Sequence, residues 1–467
     1  MLVIVFVWLC VFALTLDAGL VSTSVLFLVV VGVGLWQCQR TAYVLRDPRL
    51  GILRYLWIIK ISATLSLLLV GWIPSLYPMA IDGNAYDPHR YFHNAFITIE
   101  NQWVPPPDVN INNGVIYYYA ALFYVFGHNP VIPAIVNSFV GLMATLYLIR
   151  FVYEFKRRRS DNDRALAYLL LLPELLWYDA LTSRESITAG LIVVSLLAIA
   201  RFVVRSPKAS LATTVLLGAG GFLGVLTMRP AMCIGITAAL SLFVIFVGSV
   251  APGSRARHIA LTVGALFLIT AMLSLLLTEV PGFGESLNEI YLRMVPPADA
   301  TSVLGWAENS FGQRLVPSNM LEAVVYIAPR LVLYLIAPLP YFPADTRPGW
   351  FEDWYRWQYL CTAISSVLNL IAVPYACAGL VCAFRSLRSR PALLAIHLGL
   401  WCLLVTIVAG NIIIHERYRV MATLLLFTCA WHGFTECSRR TLVPYRLAWW
   451  FLLLLFGFVI LWVKSSG

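Results

Sequence analysis

The stretch PALLAIHLGLWCLLVTIVAGNIII, residues 391–414, contains no Asp, Glu, Lys or Arg. Wound as a helix rising 1.5 Å per residue, it is long enough to cross the ~30 Å hydrocarbon layer of a bilayer. Runs of this kind recur along the chain. They read as apolar segments at about 1–16, 20–37, 54–77, 130–153, 165–181, 186–204, 211–228, 231–249, 259–278, 325–342, 358–384, 391–414, 418–437 and 444–463. The runs are continuous rather than alternating, which excludes a transmembrane β-barrel. Of 467 residues, 60% are hydrophobic and 12% charged, against about 25% charged in soluble domains. The expected fold is therefore all-α: one polytopic helical membrane domain over 1–467, with about 13–14 hydrophobic segments.

The net charge of +10 does not point to nucleic acid, because the basic residues sit in short loops between apolar runs. Arg40, Arg46, Arg49 and Arg54 form one cluster and Lys156-Arg-Arg-Arg159 another. Further along come Arg205 with Lys208, Arg255 with Arg257, Arg385 with Arg388 and Arg390, and Arg439 with Arg440. Placed in the cytoplasm, these clusters put the loops at about 78–129 and 279–324 outside. A full crossing at 325–342 would break the pattern at Arg385 to Arg390. Pro329, Pro338 and Pro340 suggest a broken or re-entrant helix there, leaving about 13 crossings. The first segment lacks a basic n-region and a small-residue cleavage site, so it reads as a retained span. The nine cysteines lie in or at the ends of apolar segments with no CxxC pair. They read as small buried apolar residues, not as a disulfide or metal framework.

The polar exception is Ile81-Asp-Gly-Asn-Ala-Tyr-Asp-Pro-His-Arg-Tyr-Phe-His93. Charged groups at a bilayer boundary are costly unless solvated or used. Asp82 is a candidate general base at the lipid–water boundary, able to take a proton from an incoming hydroxyl. Asp82-Gly83 also suits a plain turn. Asp87-Pro88 suits a helix start, and Asp87 is a second candidate carboxylate. Tyr86, His89, Arg90 and His93 surround them as candidate binding groups. His89 and His93 are four apart, but no HExxH-like frame is present and no metal is indicated. Gly114 to Phe126 is aromatic and short, fitting an interfacial helix.

Arginines at expected outer turns are the second signal: Arg184 beside Glu185, Arg229 before Pro230, and His415-Glu-Arg-Tyr-Arg419. The planar guanidinium bonds phosphate oxygens in pairs and keeps its charge. Arg184, Arg229, Arg417 and Arg419, with Glu185, His415 and Glu416, are thus candidates for holding a lipid-linked phosphate. The alternative is structural ion pairing, Arg184 with Glu185 or Asp179 and Arg417 with Glu416. Glu174 lies deep in an apolar run, where a carboxylate must be paired or line a cavity. The glycines at 218, 220, 221 and 224 suit close helix packing. No Walker or Rossmann phosphate loop occurs.

The order of short motifs resembles the GT-C superfamily of polytopic glycosyltransferases, and most resembles bacterial members similar to the dolichyl-phosphate-mannose protein mannosyltransferases. The likeness runs over roughly 75–440. It begins with Asp82-x-x-x-Tyr86 and Gly114-Val-Ile-Tyr-Tyr118, then Phe126-Gly127 and Asn137. Pro173-x-x-x-Trp177 and Ser183-Arg-Glu-Ser186 follow, then Pro329-Arg330 to Pro338-Leu-Pro340 and Glu416-Arg-Tyr-Arg419. The resemblance implies an outward-facing active site in the cytoplasmic membrane. It implies a sugar donor on polyprenyl phosphate, a glycan or lipid acceptor, and no cofactor. By position it puts the catalytic base on Asp82. The adjacent Asp-Glu pair common in the family is absent, and Asp87 is the nearest stand-in. The rival expectations are a polysaccharide polymerase or ligase acting on lipid-linked repeats, and a transporter or flippase of such lipids. A transporter should show an inverted repeat, and none is evident.

Overall fold

The computed structural model describes residues 20–72, 87–106, 113–156, 161–204, 210–250, 320–336, 355–409 and 418–465. Asp82, Tyr86, His415, Glu416 and Arg417 lie outside the described residues, as do the segments expected at 1–16 and 259–278. Among the described residues all regular structure is helical. The helices are α1 (Leu20–Val44), α2 (Ile52–Leu67), α3 (Asp87–Glu100), α4 (Asn113–Phe126), α5 (Val131–Phe155), α6 (Pro173–Ala180), α7 (Glu185–Val203), α8 (Gly220–Met228) and α9 (Pro230–Val250). Then come α10 (Met320–Val325), α11 (Ile327–Ile336), α12 (Tyr355–Arg385), α13 (Pro391–Ala409), α14 (Val420–Glu436) and α15 (Arg439–Ser465). Seven runs are long and apolar enough to cross a membrane: Ser22–Val44, Pro48–Val70, Val131–Phe155, Glu185–Val203, Pro230–Gly248, Gln358–Arg385 and Pro391–Ala409. The chain is an all-α polytopic membrane protein.

Several expected spans are not single α-helices, and those at 54–77 and 211–228 contain π-helical stretches, Leu68–Trp72 and Thr214–Ala219. The run at 165–181 divides into a 3₁₀ stretch, Asp161–Leu171, and α6. Pro173 causes the break, since it cannot donate to the preceding turn and suits the first position of a new helix. Of the expected span at 325–342, residues 327–336 are helical as α11, which is offset from α10 at Tyr326, and 337–342 lie outside the described residues.

Polar contacts sort the helix ends onto two faces. On the basic face, Arg150 reaches Thr41 Oγ1 at 2.6 Å and Tyr153 donates to Asp47 at 3.0 Å. Lys156 pairs with Asp163, and Arg201 pairs with Glu154 at 3.0 Å. The Trp431 indole donates to the Asn162 carbonyl at 3.1 Å and Arg390 pairs with Glu436 at 3.0 Å. These contacts put Arg390 on the same face as Lys156, so the charge pattern holds past residues 325–342. On the opposite face, Ser22 donates to the Phe126 carbonyl at 2.7 Å, and the starts of α5, α7, α9 and α14 gather.

The cysteine expectation is corrected at one place. Cys382, near the end of α12, is bonded to Cys437, just past α14. The sequence hides this because the partners stand 55 residues apart, and only the packing of α12 along α14 brings them together. Cys38, Cys233, Cys361, Cys377, Cys402 and Cys429 are free, as expected. The glycine expectation fits the geometry: a Cβ on Gly224 would stand 2.9 Å from Leu191, so α8 lies close against α7.

In the core, Glu174 is paired rather than solvated. Its carboxylate accepts from Arg419 Nε at 2.9 Å, and Arg419 also donates to the Thr362 carbonyl at 2.9 Å. The Glu174 amide donates to Ser365 Oγ at 3.1 Å. Glu174 and Arg419 thereby join α6 and α14 to α12. Removing one partner strands the other charge, at about 3–5 kcal/mol. Arg419→Met should accordingly lower the unfolding temperature of the purified protein sharply. Glu174→Leu with Arg419→Met should recover most of the loss; a single substitution that unfolds like wild type would disprove the coupling.

Candidate functional site

The site lies on the face opposite the basic clusters, and two corners of the chain build it. The first is at Arg229. The proline that follows disfavours helical backbone at that residue, and Arg229 adopts φ −151° and ψ 74°. The helical run ends there, α9 restarts at Pro230, and the Arg229 side chain is left at the corner. The second corner is the bend 181–184 between α6 and α7, which ends on Arg184 at the start of α7.

At these corners the expected phosphate-binding arginines meet. Arg229 Nη2 donates to Glu185 at 2.9 Å, and its guanidinium lies 4.5 Å over the Tyr418 ring. Arg184 donates to the Met228 carbonyl at 3.4 Å and faces the Tyr91 ring at 5.6 Å. Both arginines and Glu185 are buried. The structural alternative read from sequence pairs differently here: Glu185 takes Arg229 rather than Arg184, and Asp179 takes Lys60. Arg419, one residue past Tyr418, turns inward to Glu174 and takes no part in the cluster. Its guanidinium is taken up by Glu174 and the Thr362 carbonyl.

Helix α3 begins at Asp87 and carries the rest of the polar stretch. Its buried side chains are Pro88, Tyr91, Phe92, Ala95 and Thr98, a stripe at helical spacing. That stripe lays Tyr91 against Arg184 and leaves Arg90 exposed and His89 half-buried. Helices α3 and α4 form a hairpin on this face. Phe92 meets Phe123 edge-on at 5.3 Å, and His128 stacks on Phe92 at 4.2 Å and on Phe96 at 4.4 Å. Tyr117, Tyr124 and Trp103 project outward, as interfacial aromatic residues do. At 14 residues, α4 suits the interfacial reading.

Several residues to which sequence reasoning gives no role hold the bend. The Tyr119 hydroxyl donates to the Ser183 carbonyl at 2.6 Å. Asn137 Nδ2 donates to the Leu181 carbonyl at 2.9 Å and to the Tyr119 oxygen at 3.1 Å. Lys60, within a membrane-length helix, pairs with Asp179. A lone cation in an apolar run is itself a sequence signal, whereas its partner is not readable. Tyr91 and Tyr418 lie inside the quoted motifs, but nothing in their spacing says that they would lie against guanidinium groups.

Among the described residues no group of three or more His, Cys, Asp or Glu could hold a metal ion. His89 and His93 belong to no such group. The arrangement gathers two guanidinium groups and Glu185 beside the N-terminal ends of α7, α9 and α14, where the helix dipole favours negative charge. Comparison with protein-family models, with curated proteins and with solved structures found no match.

His93 supplies a pH test of the hairpin. Burial holds its imidazole below the ordinary value of 6.5, so the unfolded hairpin binds more protons than the folded one just below that pH. Stability contributed here is present above about pH 6.5 and falls on acidification. Amide exchange across 87–126, corrected for its intrinsic pH dependence, should quicken between pH 7.5 and 5.5 in wild type and much less in His93→Gln. Equal acceleration in both would rule out His93 as the titrating group.

Proposed function

We propose that this protein is a membrane glycosyltransferase of GT-C type. It moves a sugar from a polyprenyl-phosphate-linked donor to a glycan or lipid acceptor, at the outer face of the cytoplasmic membrane, in cell-surface polysaccharide synthesis. One observation carries the reading: Arg184 and Arg229 converge with Tyr91 and Tyr418 on the face opposite the basic clusters, against the helix that opens at Asp87. With the basic face in the cytoplasm, this cluster faces outward.

The chemistry follows from the residue types. Asp82, with Asp87 near it in sequence, takes the proton of the acceptor hydroxyl. The acceptor oxygen bonds to the anomeric carbon as the bond from that carbon to the phosphate oxygen breaks, through an oxocarbenium-like state. The electron pair leaves with the polyprenyl phosphate. Its growing charge is stabilised by Arg184 and Arg229, and by Arg417 from the stretch before α14. Tyr86, His89, Arg90, His93 and His415 bind the sugar and phosphate oxygens. Exposed Trp103, Tyr117 and Tyr124 lie against acyl and prenyl chains. The energy is in the sugar–phosphate bond that breaks, so no nucleotide is required.

Surface glycans and lipid-linked intermediates should be compared by mass spectrometry in cells carrying wild type, a deletion, Asp82→Asn or Arg184→Gln at matched membrane levels. Both variants should reproduce the deletion. Loss of one sugar supports a single-sugar transferase. Complete single repeats without long chains would replace that reading by a polymerase. A deletion that leaves the glycans unchanged would overturn the proposal, and normal glycans in Asp82→Asn alone would remove Asp82 as base.

A further inference from the structure

The charges of Lys60 and Asp179 sit far inside the helical core, with side-chain exposures of 2% and 1%. Lys60 is eight residues into α2 from the basic face, and a Cβ on Gly141, in the body of α5, would stand 3.5 Å from both Lys60 Nζ and Asp179 Oδ2. Burying such a pair gives no net stability over well-packed apolar residues of similar size. Its presence therefore calls for a role other than holding the core together.

The role is legible in what Asp179 adjoins. Residues 181–184 have no regular structure and α7 has no side-chain cap at its start, yet Arg184 and Glu185 at that junction belong to the arginine cluster. The bend is held from four directions. Lys60 of α2 takes Asp179 at its start. Asn137 of α5 takes the Leu181 carbonyl and Tyr119 of α4 the Ser183 carbonyl. From within, the Ser183 and Ser186 hydroxyls both donate to the Tyr178 carbonyl, at 3.1 Å and 3.5 Å. A charged anchor is directional where an apolar contact is not, so it fixes the rotation of the last turn of α6 about its axis. Arg184 is five residues further on. A functional group held by such anchoring is far more exact than one on a free loop.

We propose that Lys60 and Asp179 are positioning residues. As a neutral pair in the core they clamp the bend 181–184, and so set where Arg184 and the Glu185–Arg229 pair meet an anionic ligand. The ligand half of this inference rests on the phosphate reading above; the clamp half does not.

The test uses the full chain in nanodiscs and the double variant Lys60→Met with Asp179→Leu, which removes both charges at similar volume. Its unfolding temperature should stay near that of wild type, while amides 181–184 exchange at least tenfold faster and those in the body of α5 and α7 do not. Farnesyl phosphate, as probe, should bind wild type at least tenfold more tightly than the double variant, and Arg184→Gln should lose binding too. Should the double variant fail to fold, Gly141→Val wedges a branched side chain against both partners and should loosen the same amides. Unchanged exchange at 181–184 in the folded variant overturns the clamp. Wild-type binding of farnesyl phosphate with no loss in the double variant overturns its link to the ligand. Absence of binding by wild type overturns the phosphate reading and with it that link, while the exchange result still decides the clamp.

Discussion

A charge inside a membrane-spanning helix bundle must find its partner within the bundle. Helix α6 obeys this constraint twice within six residues. Glu174 in its first turn is met by Arg419, and Asp179 near its end is met by Lys60. One short helix thereby ties α2, α12 and α14 together through directional contacts that close apolar packing could not specify. Its position follows from where its two carboxylates can be neutralised, and the bend leading into α7 follows from its position.

That geometry gives the molecule two different faces. On one, arginines and lysines mix with ion pairs such as Arg201–Glu154 and Arg390–Glu436, which serve topology and structure. On the other, arginines occur where the charge rule expects few, at chain corners made by Pro230 and by the bend before Glu185. Tyrosine faces lie against both guanidinium groups, and Glu185 pairs with Arg229. A guanidinium is attracted to the face of an aromatic ring, so the tyrosines help to hold both arginines at this corner. The two-face division and the proposed outward chemistry of a lipid-linked sugar support each other.

The outer arginines show how far spacing can be read. Arg184, Arg229, Arg417 and Arg419 look equivalent in the sequence, each near a turn on the same side. In the structure Arg184 and Arg229 share a cluster while Arg419 is directed into the core. The difference between Arg419 and its neighbour Tyr418 is one residue at the start of a helix, which rotates a side chain by about 100° around the axis. Glu174 was legible as a group needing a partner, since its cost in an apolar run is local; which residue supplied the partner was not. The bond between Cys382 and Cys437 escaped for the same reason, with 55 residues between its ends.

By itself the sequence determined what depends on local composition. It set the all-α polytopic class, the grouping of basic residues in short loops and the corner at Pro230, while the break at Pro173 inside the expected run 165–181 was readable from the proline but not drawn from it. Each of these arises from hydropathy over a helix length or from the backbone limits of one proline, and neither needs a distant residue. Tertiary structure alone decided the pairings: Lys60 with Asp179, Glu185 with Arg229 rather than Arg184, Arg419 with Glu174, and Asn137 and Tyr119 on the carbonyls of the bend. Those depend on which helix faces which, and in a bundle where every span is apolar many arrangements bury similar area. The few polar groups choose among them because each must be satisfied at once.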